Sequence, residues 1–408
     1  MDAHFDVAII GAGHGGAQVA IQLRQLGFAG TIGLIGAEPE PPYERPPLSK
    51  DYLAGEKAFE RMLIRPESFW AERDVSLVPG TRIAMVDAEA KTVTSEGGRS
   101  FGYGALVWAA GGTPRRLACA GGDLAGVHVL RCRAEVDLIR AELEDARHVS
   151  VIGGGYIGLE AAAVLTKLGK KVSVVEALDR VLARVAAPEI SQFYEAEHRA
   201  HGVELLLGRS VDRIEGESCR ARRVVLNDVG EIETDLVIAG IGIDPAAGPL
   251  LAAGAEGGNG IHVDAHCRTS LPDIYAIGDC AAQESRFAGG ARVRLESVQN
   301  AHDSASTAAR AIAGLAEPHD AVPWFWSNQY DLRLQTVGLS LGHDRTVLRG
   351  RPEDRSFSLV YLREGRVIAL DCVNAVRDYA QGRRLVQEGY SPDPAKLADP
   401  AVPLKELS

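Results

Sequence analysis

Two glycine-rich turns in this chain have the residue types and spacing to hold a pyrophosphate. The first is Gly11-Ala12-Gly13-His14-Gly15-Gly16, entered from the apolar run Val7-Ala8-Ile9-Ile10. The second is Gly153-Gly154-Gly155-Tyr156-Ile157-Gly158, entered from Val149-Ser150-Val151-Ile152. Each reads as a strand, a G-x-G-x-x-G turn and a helix. The first glycine permits the tight bend, the second lets backbone approach the phosphates, and the third lets the helix pack closely on the strand. The N–H groups and positive dipole end of the helix then face the anion.

One such turn is weak evidence, but here the context repeats. Each unit continues into a second strand with an acid at or near its end, Glu38 close after Thr31–Ile35 in the first and Glu176 at the end of the strand in the second. A carboxylate at that place accepts hydrogen bonds from ribose hydroxyls. A whole strand–turn–helix–strand–acid unit occurring twice implies two dinucleotides, and two dinucleotides imply hydride passing between them. The first turn, taken alone, suits NAD and FAD equally. The second, with Glu176, is the better NAD site. Its carboxylate repels a 2′-phosphate, so NADH is expected over NADPH. Arg180 and Arg184 follow downstream, where an arginine could meet such a phosphate.

Other elements must bring further residues to these turns. After Glu38, five prolines among residues 39–47 stiffen a loop that presents Arg45 and Lys50, and a helix is expected from about Leu48. Strands near 76–78, 83–87 and 92–94 suggest a small antiparallel excursion. A buried strand over 101–108 runs through Ala109, Ala110 and Gly111 into a Gly-Thr-Pro break, a plausible domain crossing. Strand 203–207 and a hairpin of 222–226 with 231–234 lead to the stretch ending at Gly242 and Pro245, of the same type, which suits a return. The run to Gly278 and Asp279 is a strand end whose acid suits a ribitol hydroxyl or a helix cap. A long helix is expected from Leu295, through Glu296, Ser297 and Val298, to about Leu315. Its N-terminus suits the flavin edge where negative charge gathers. From Trp324-Phe325-Trp326 the composition changes. Strands near 332–338, 345–349, 356–361 and 367–373 and a helix near 377–388 make a separate α+β domain. The aromatics there read as a core cluster or as a wall over a planar cofactor.

Composition bounds the class. The chain has 408 residues, 46% apolar and 24% charged, which is ordinary for a globular enzyme of two or three domains. Its net charge of −11 argues against nucleic acid as a partner. No apolar stretch suits a membrane span and no secretory pattern opens the chain, so the cytoplasm is the expected location. Six cysteines occur with no C-x-x-C pair. No adjacent dithiol or zinc knuckle is available, and most are expected to be buried small hydrophobes.

Taken in order, these motifs resemble the FAD-dependent, NADH-using ferredoxin reductases that feed bacterial cytochrome P450 and ring-hydroxylating oxygenase systems. The likeness rests on residues 7–13, Pro46-Pro47-Leu48-Ser49-Lys50, residues 153–160 and 235–242, Ile277-Gly278-Asp279-Cys280, Glu296-Ser297-Val298, Trp324-Phe325-Trp326-Ser327, and Val402-Pro403-Leu404-Lys405-Glu406. It implies an α/β, glutathione-reductase-like fold. Residues 1–112 and 245–323 would bind FAD, 113–244 NADH, and 324–408 would form the C-terminal α+β domain. FAD would lie on the first glycine turn, with Lys50 near flavin N5, Glu160 as the charge partner of Lys50, and Ile83, Arg131 and Trp326 against the flavin. Asp279 would hold the pyrophosphate–ribitol region, Val298 would offer its N–H to O2, and Glu176 would take the NAD ribose. Two departures stand out. Ala37 replaces an acid found in some members, which moves the FAD-ribose contact to Glu38. Ala109-Ala110-Gly111 replaces Ala-Thr-Gly and removes a threonine hydroxyl.

The resemblance further implies hydride transfer from NADH to FAD and single electrons passed to an iron–sulfur ferredoxin, of [2Fe–2S] type, by a monomer or weak dimer. No metal site of its own is expected. Without a cysteine pair, the route through a protein disulfide is closed. Arg65, Arg310 and Arg345 are candidates for docking an acidic ferredoxin. A small-molecule reductase and a redox-controlled interaction protein are the other classes considered.

Overall fold

The computed structural model describes residues 2–227 and 230–407, so the outer domain limits expected at Met1 and Ser408 lie outside it. The chain divides into two compact units, residues 1–44, 60–113 and 244–325, and residues 45–59, 114–243 and 326–408.

The first unit is built on a parallel sheet ordered Val75–Val78, Ile32–Ile35, Ala3–Ile10, Ser100–Trp108. The outer edge of Ser100–Trp108 is shared. Its first residues pair antiparallel with Thr92–Ser95, and its last pair parallel with Ile274–Ala276. Both faces of the central strand are covered: Phe5, Ala8 and Ile10 pack with Phe101, Trp108 and Leu250, while Val7 and Ile9 pack with Leu23, Val107 and Ala308. A strand buried on both sides reads as a nearly continuous apolar run, as residues 7–10 do.

The second unit repeats the plan. Its parallel sheet runs Glu204–Leu207, Lys171–Glu176, His148–Ile152, Leu236–Ala239, Val127–Val129. A three-stranded antiparallel sheet, Val211–Glu217, Arg220–Leu226 and Glu231–Glu233, packs through Ile214, Ala221 and Val224 against Ile152, Val175 and Val237. The sheet of the last 80-odd residues is ordered Trp324–Gln329, Leu332–Gly338, Arg366–Val373, Ser356–Arg363, Arg345–Arg351, followed by helix Val376–Glu388. Buried Arg349 ties the tail to it, donating to Asp378 at 2.8 Å and to the carbonyls of Asp399 and Val402.

Several expectations are corrected. Strand Val75–Val78 is not part of the antiparallel excursion; it follows helix Glu67–Glu72 and joins Ile32–Ile35 in parallel. The expected helix from Leu48 is a single 3₁₀ turn, Pro46–Ser49, which Lys50 ends by leaving helical geometry (φ −130°, ψ −115°). The long helix spans Val298–Ile312 and starts later than expected, because Ser297 Oγ caps it through the N–H of Asn300 at 3.0 Å. Strand Val211–Glu217 and helices Arg133–Leu143 and Pro188–Ala200 were not anticipated. Only Cys267, Cys280 and Cys372 are buried, whereas Cys219 is exposed and Cys119 and Cys132 are intermediate. Trp324, Phe325 and Trp326 are each half-buried, so they are not core side chains in the full sense.

Candidate dinucleotide sites and the Lys50–Glu160 pair

The two glycine turns share one geometry. Gly11 has φ +111° and Gly153 has φ +110°, the region where a side chain is strained. A Cβ on Gly16 would stand 1.9 Å from Gly11 O, and one on Gly158 would stand 2.0 Å from Gly153 O. Helices His14–Gln25 and Tyr156–Lys167 both begin after a glycine, without a side-chain cap and without an acid in the first turn. Each therefore offers first-turn N–H groups and its positive dipole end from a turn that carries no acid of its own, which fits a pyrophosphate.

The acids at the second strands are held differently. Glu176 Oε2 accepts from Gly154 N at 2.7 Å and Oε1 from Leu178 N at 2.8 Å, so both oxygens are fixed beside the turn. Glu38 Oε2 accepts from Tyr43 Oη at 2.5 Å, a partner not foreseen in the sequence; Ala37 next to it is exposed.

The first unit also carries His14, Gly13, Gly15, Ile83, Ala109, Gly111, Gly278, Asp279, Glu296, Ser297 and Val298. Ile83 is buried, and Gly278–Cys280 forms a 3₁₀ turn directly after strand Ile274–Ala276. Arg294 spans this region, donating to Asp279 O at 3.0 Å and pairing with Glu296 at 2.8 Å. His14 lies 5.8 Å from His302, ring to ring.

The second unit carries Arg45, Lys50, Arg131, Gly155, Tyr156, Ile157, Glu160, Arg184, Gly242 and Trp326. Arg45 donates to Arg131 O at 2.8 Å. Burial pushes the Tyr156 hydroxyl well above its ordinary range. Ile157 is an exposed apolar residue and Gly242 has φ +99°.

The strongest side-chain constellation centres on Glu160. It lies in the first helical turns after Gly158, only 3% exposed. Lys50 Nζ is 2.6 Å from its Oε2, and Ser49 Oγ donates to the same oxygen at 2.6 Å. Ser327 Oγ donates to Oε1 at 2.7 Å. A buried carboxylate is tolerable when donors surround it in this way. Ser49, Ser327 and, beyond it, Gln329 and His198 complete a network that sequence reasoning missed. The only signal was the polar residue interleaving of 326–330. Burial pushes the His198 imidazole down to about 4, so it is neutral near pH 7.

Burial holds the thiols of Cys119, Cys267, Cys280 and Cys372 above their ordinary range, away from the thiolate form. Burial raises Cys280 to about 11, and its Sγ donates to Ile277 O at 3.2 Å. All six cysteines are free. Among the described residues, no group of histidines, cysteines and acids is arranged to hold a metal ion, and no helix is long and apolar enough to cross a membrane.

Comparison with known proteins gives this architecture its class. Residues 5–305 match the family described as "Pyridine nucleotide-disulphide oxidoreductase", and residues 324–408 match "Reductase C-terminal". The chain is 60% identical over 99% of its length, and 98% of the relative's, to "5,5'-dehydrodivanillate O-demethylase ferredoxin reductase subunit" of Sphingobium sp.. It is 57% identical over 100% of its length, and 98% of the relative's, to "Ferredoxin--NAD(P)(+) reductase fdr" of Sphingomonas sp.. Among solved structures, the covalent putidaredoxin reductase–putidaredoxin complex aligns with TM-score 0.95 and 38% identity, covering 100% of this chain and 98% of the other. The chain belongs to the pyridine nucleotide-disulphide oxidoreductases and, within them, to the ferredoxin reductases. It is thus an FAD- and pyridine-nucleotide-dependent reductase of glutathione-reductase-like fold.

Proposed function

We propose that this protein takes hydride from NADH onto FAD and hands single electrons to a [2Fe–2S] ferredoxin that serves an oxygenase. The observation that carries this reading is the pair of uncapped, acid-free glycine turns, one in each unit, together with the absence of any paired cysteine. When bound, FAD supplies hydride acceptance and one-electron release; the protein binds and orients. FAD is assigned to the Gly11–Gly16 turn and the nicotinamide dinucleotide to Gly153–Gly158. Residues 1–112 with 245–323, 113–244 and 324–408 are proposed as the FAD, NADH and C-terminal domains. Lys50 and Glu160 are the proposed catalytic pair: the ammonium stabilises charge that develops as hydride is delivered, and the carboxylate holds it in place. A cytoplasmic monomer or weak dimer with free thiols suits a supply of NADH.

The NADH preference rests on Glu176. Its carboxylate is pinned by two backbone N–H groups, so it cannot swing away from a 2′-phosphate. Glu176→Ala should narrow the NADH-over-NADPH ratio in kcat/KM by about tenfold, the worth of one close charge repulsion at a partly exposed site. An unchanged ratio would remove Glu176 from the specificity argument.

Docking is assigned to three arginines, two of them exposed and one half-buried. Arg65 is exposed with its guanidinium over the Phe69 ring at 5.7 Å, Arg310 pairs with Glu317 at 3.0 Å, and Arg345 is exposed at a strand start. The whole reading is tested by anaerobic stopped-flow mixing with NADH and then with ferredoxin. Rapid flavin bleaching followed by ferredoxin reduction is expected. Arg65→Glu with Arg310→Glu should slow only the second phase and flatten its salt dependence. No bleaching at micromolar NADH would sink the proposal, and fast turnover on quinones without ferredoxin would favour a small-molecule reductase.

A further inference from the structure

A buried line of hydrogen bonds reaches Glu160 from residues outside both dinucleotide motifs. Ser327 Oγ meets Glu160 Oε1 at 2.7 Å, and Gln329 Nε2 meets Ser327 Oγ at 3.2 Å. Gln329 Oε1 meets His198 Nε2 at 2.8 Å, and His198 Nδ1 meets Tyr330 Oη at 2.9 Å. His198, Ser327 and Gln329 are essentially without exposure. Tyr330 is half-buried and stacks on exposed His201 with ring centroids 3.7 Å apart.

The polarity of this line follows from its charged end. A carboxylate paired with Lys50 only accepts, so the Ser327 hydroxyl must donate to it. The serine oxygen then accepts from the Gln329 amide N–H. That turns the amide oxygen toward His198, which must carry its proton on Nε2. Nδ1 is left as an acceptor, and the Tyr330 hydroxyl donates to it. Four donors point one way and end on one carboxylate oxygen. Donors in series polarise one another and strengthen the last bond. The line is not a proton path, since an amide receives and releases no proton at physiological pH. Satisfying buried groups would not by itself require a single direction ending on the pair that holds Lys50.

We propose that His198, Gln329 and Tyr330 are positioning residues for hydride transfer. They lock the Ser327 hydroxyl onto Glu160 Oε1 and so fix the carboxylate whose other oxygen holds Lys50. This rests on reading Lys50 and Glu160 as part of the hydride step, and the controls separate the two ideas.

The test uses the FAD-loaded enzyme and three variants. Gln329→Met keeps length and volume but cuts the line. It should slow the limiting rate of flavin reduction by NADH about tenfold with the NADH Kd little changed. Adding Ser327→Ala should slow the rate further, but by less than the product of the two separate losses, because both variants act on the one bond to Glu160 Oε1. Tyr330→Phe, which keeps the ring on His201, should slow the rate about threefold and covers the case in which a buried variant fails to fold. A readout independent of turnover is the ¹⁵N NMR tautomer of His198, expected as Nε2–H near neutral pH and lost as a single tautomer in Gln329→Met. The inference is overturned by wild-type flavin reduction in a folded, FAD-replete Gln329→Met or Tyr330→Phe protein. Losses that multiply in the double variant, or an Nδ1–H tautomer in the native protein, overturn it equally. If Lys50→Met also leaves flavin reduction unchanged, the reading of the pair falls and this inference with it; if Lys50→Met slows it while Gln329→Met does not, only the inference falls.

Discussion

Glu160→Leu should slow flavin reduction by NADH about a hundredfold, close to 3 kcal/mol of barrier. The substitution leaves the Lys50 ammonium, 16% exposed, without its counter-charge, and leaves the fully buried Ser327 hydroxyl without its acceptor. Breaking a buried pair from one side costs about 3–5 kcal/mol of stability. Lys50 keeps some access to water, so about 3 kcal/mol is the expected loss in this case. Glu160→Gln keeps an acceptor for Ser327 but removes the charge and turns the oxygen that accepts from Lys50 and Ser49 into an amide donor, from which the Ser49 hydroxyl can turn to accept. Its stability should fall less, while the rate falls nearly as far, because in the proposed mechanism the hydride step needs a fixed ammonium. Anaerobic stopped-flow at saturating NADH, with FAD content measured alongside, separates these effects. A folded, FAD-replete Glu160→Leu enzyme with native flavin-reduction rate would exclude the pair from the hydride step.

How far the sequence carries this site depends on the range of each interaction. The two dinucleotide units were legible because their signals are local. A glycine with φ near +110° and a third glycine packed on the first carbonyl are needs of a few consecutive residues, and they leave a motif. The parallel strands at 7–10 and 149–152 were legible for a similar reason, since burial on both faces writes an unbroken apolar run. The network around Glu160 left no such mark. Ser49, Glu160, His198 and Ser327 lie on four separate elements, and nothing within each segment announces the others. Helix Pro188–Ala200, which carries His198, has a core face of Ile190, Phe193 and Tyr194 that its many charged residues mask in the sequence. Pro-Pro followed by Leu suits both a helix start and the 3₁₀ turn found at Pro46–Ser49; what decides is Lys50, whose backbone leaves the helical region.

Gly155→Ala isolates the ligand's own claim on a glycine. Gly155 has φ −80° and ψ −179°, a conformation open to any L residue, and a Cβ built there meets nothing within 4 Å. Nothing in the protein requires glycine at this place. The substitution removes conformational freedom from the unfolded chain, which favours folding by about 0.4–1 kcal/mol. It also puts alanine at a helix N-cap, which costs a similar amount. The melting temperature should therefore stay near that of the parent, and the FAD content should be native because the Gly11–Gly16 turn, the proposed FAD site, is untouched. The NADH Kd, in contrast, should rise at least about tenfold, since in the proposed assignment a methyl group would stand where the pyrophosphate approaches the backbone. Gly158→Ala makes the opposite case. Its Cβ would lie 2.0 Å from Gly153 O, a backbone atom with no side-chain freedom to yield. A stability loss of about 3 kcal/mol or more is expected there before any ligand is added. Thermal melts and NADH titrations of the two variants side by side distinguish a glycine kept for packing from one kept for the dinucleotide. A Gly155→Ala enzyme that binds NADH as tightly as the parent would move the nucleotide off this turn.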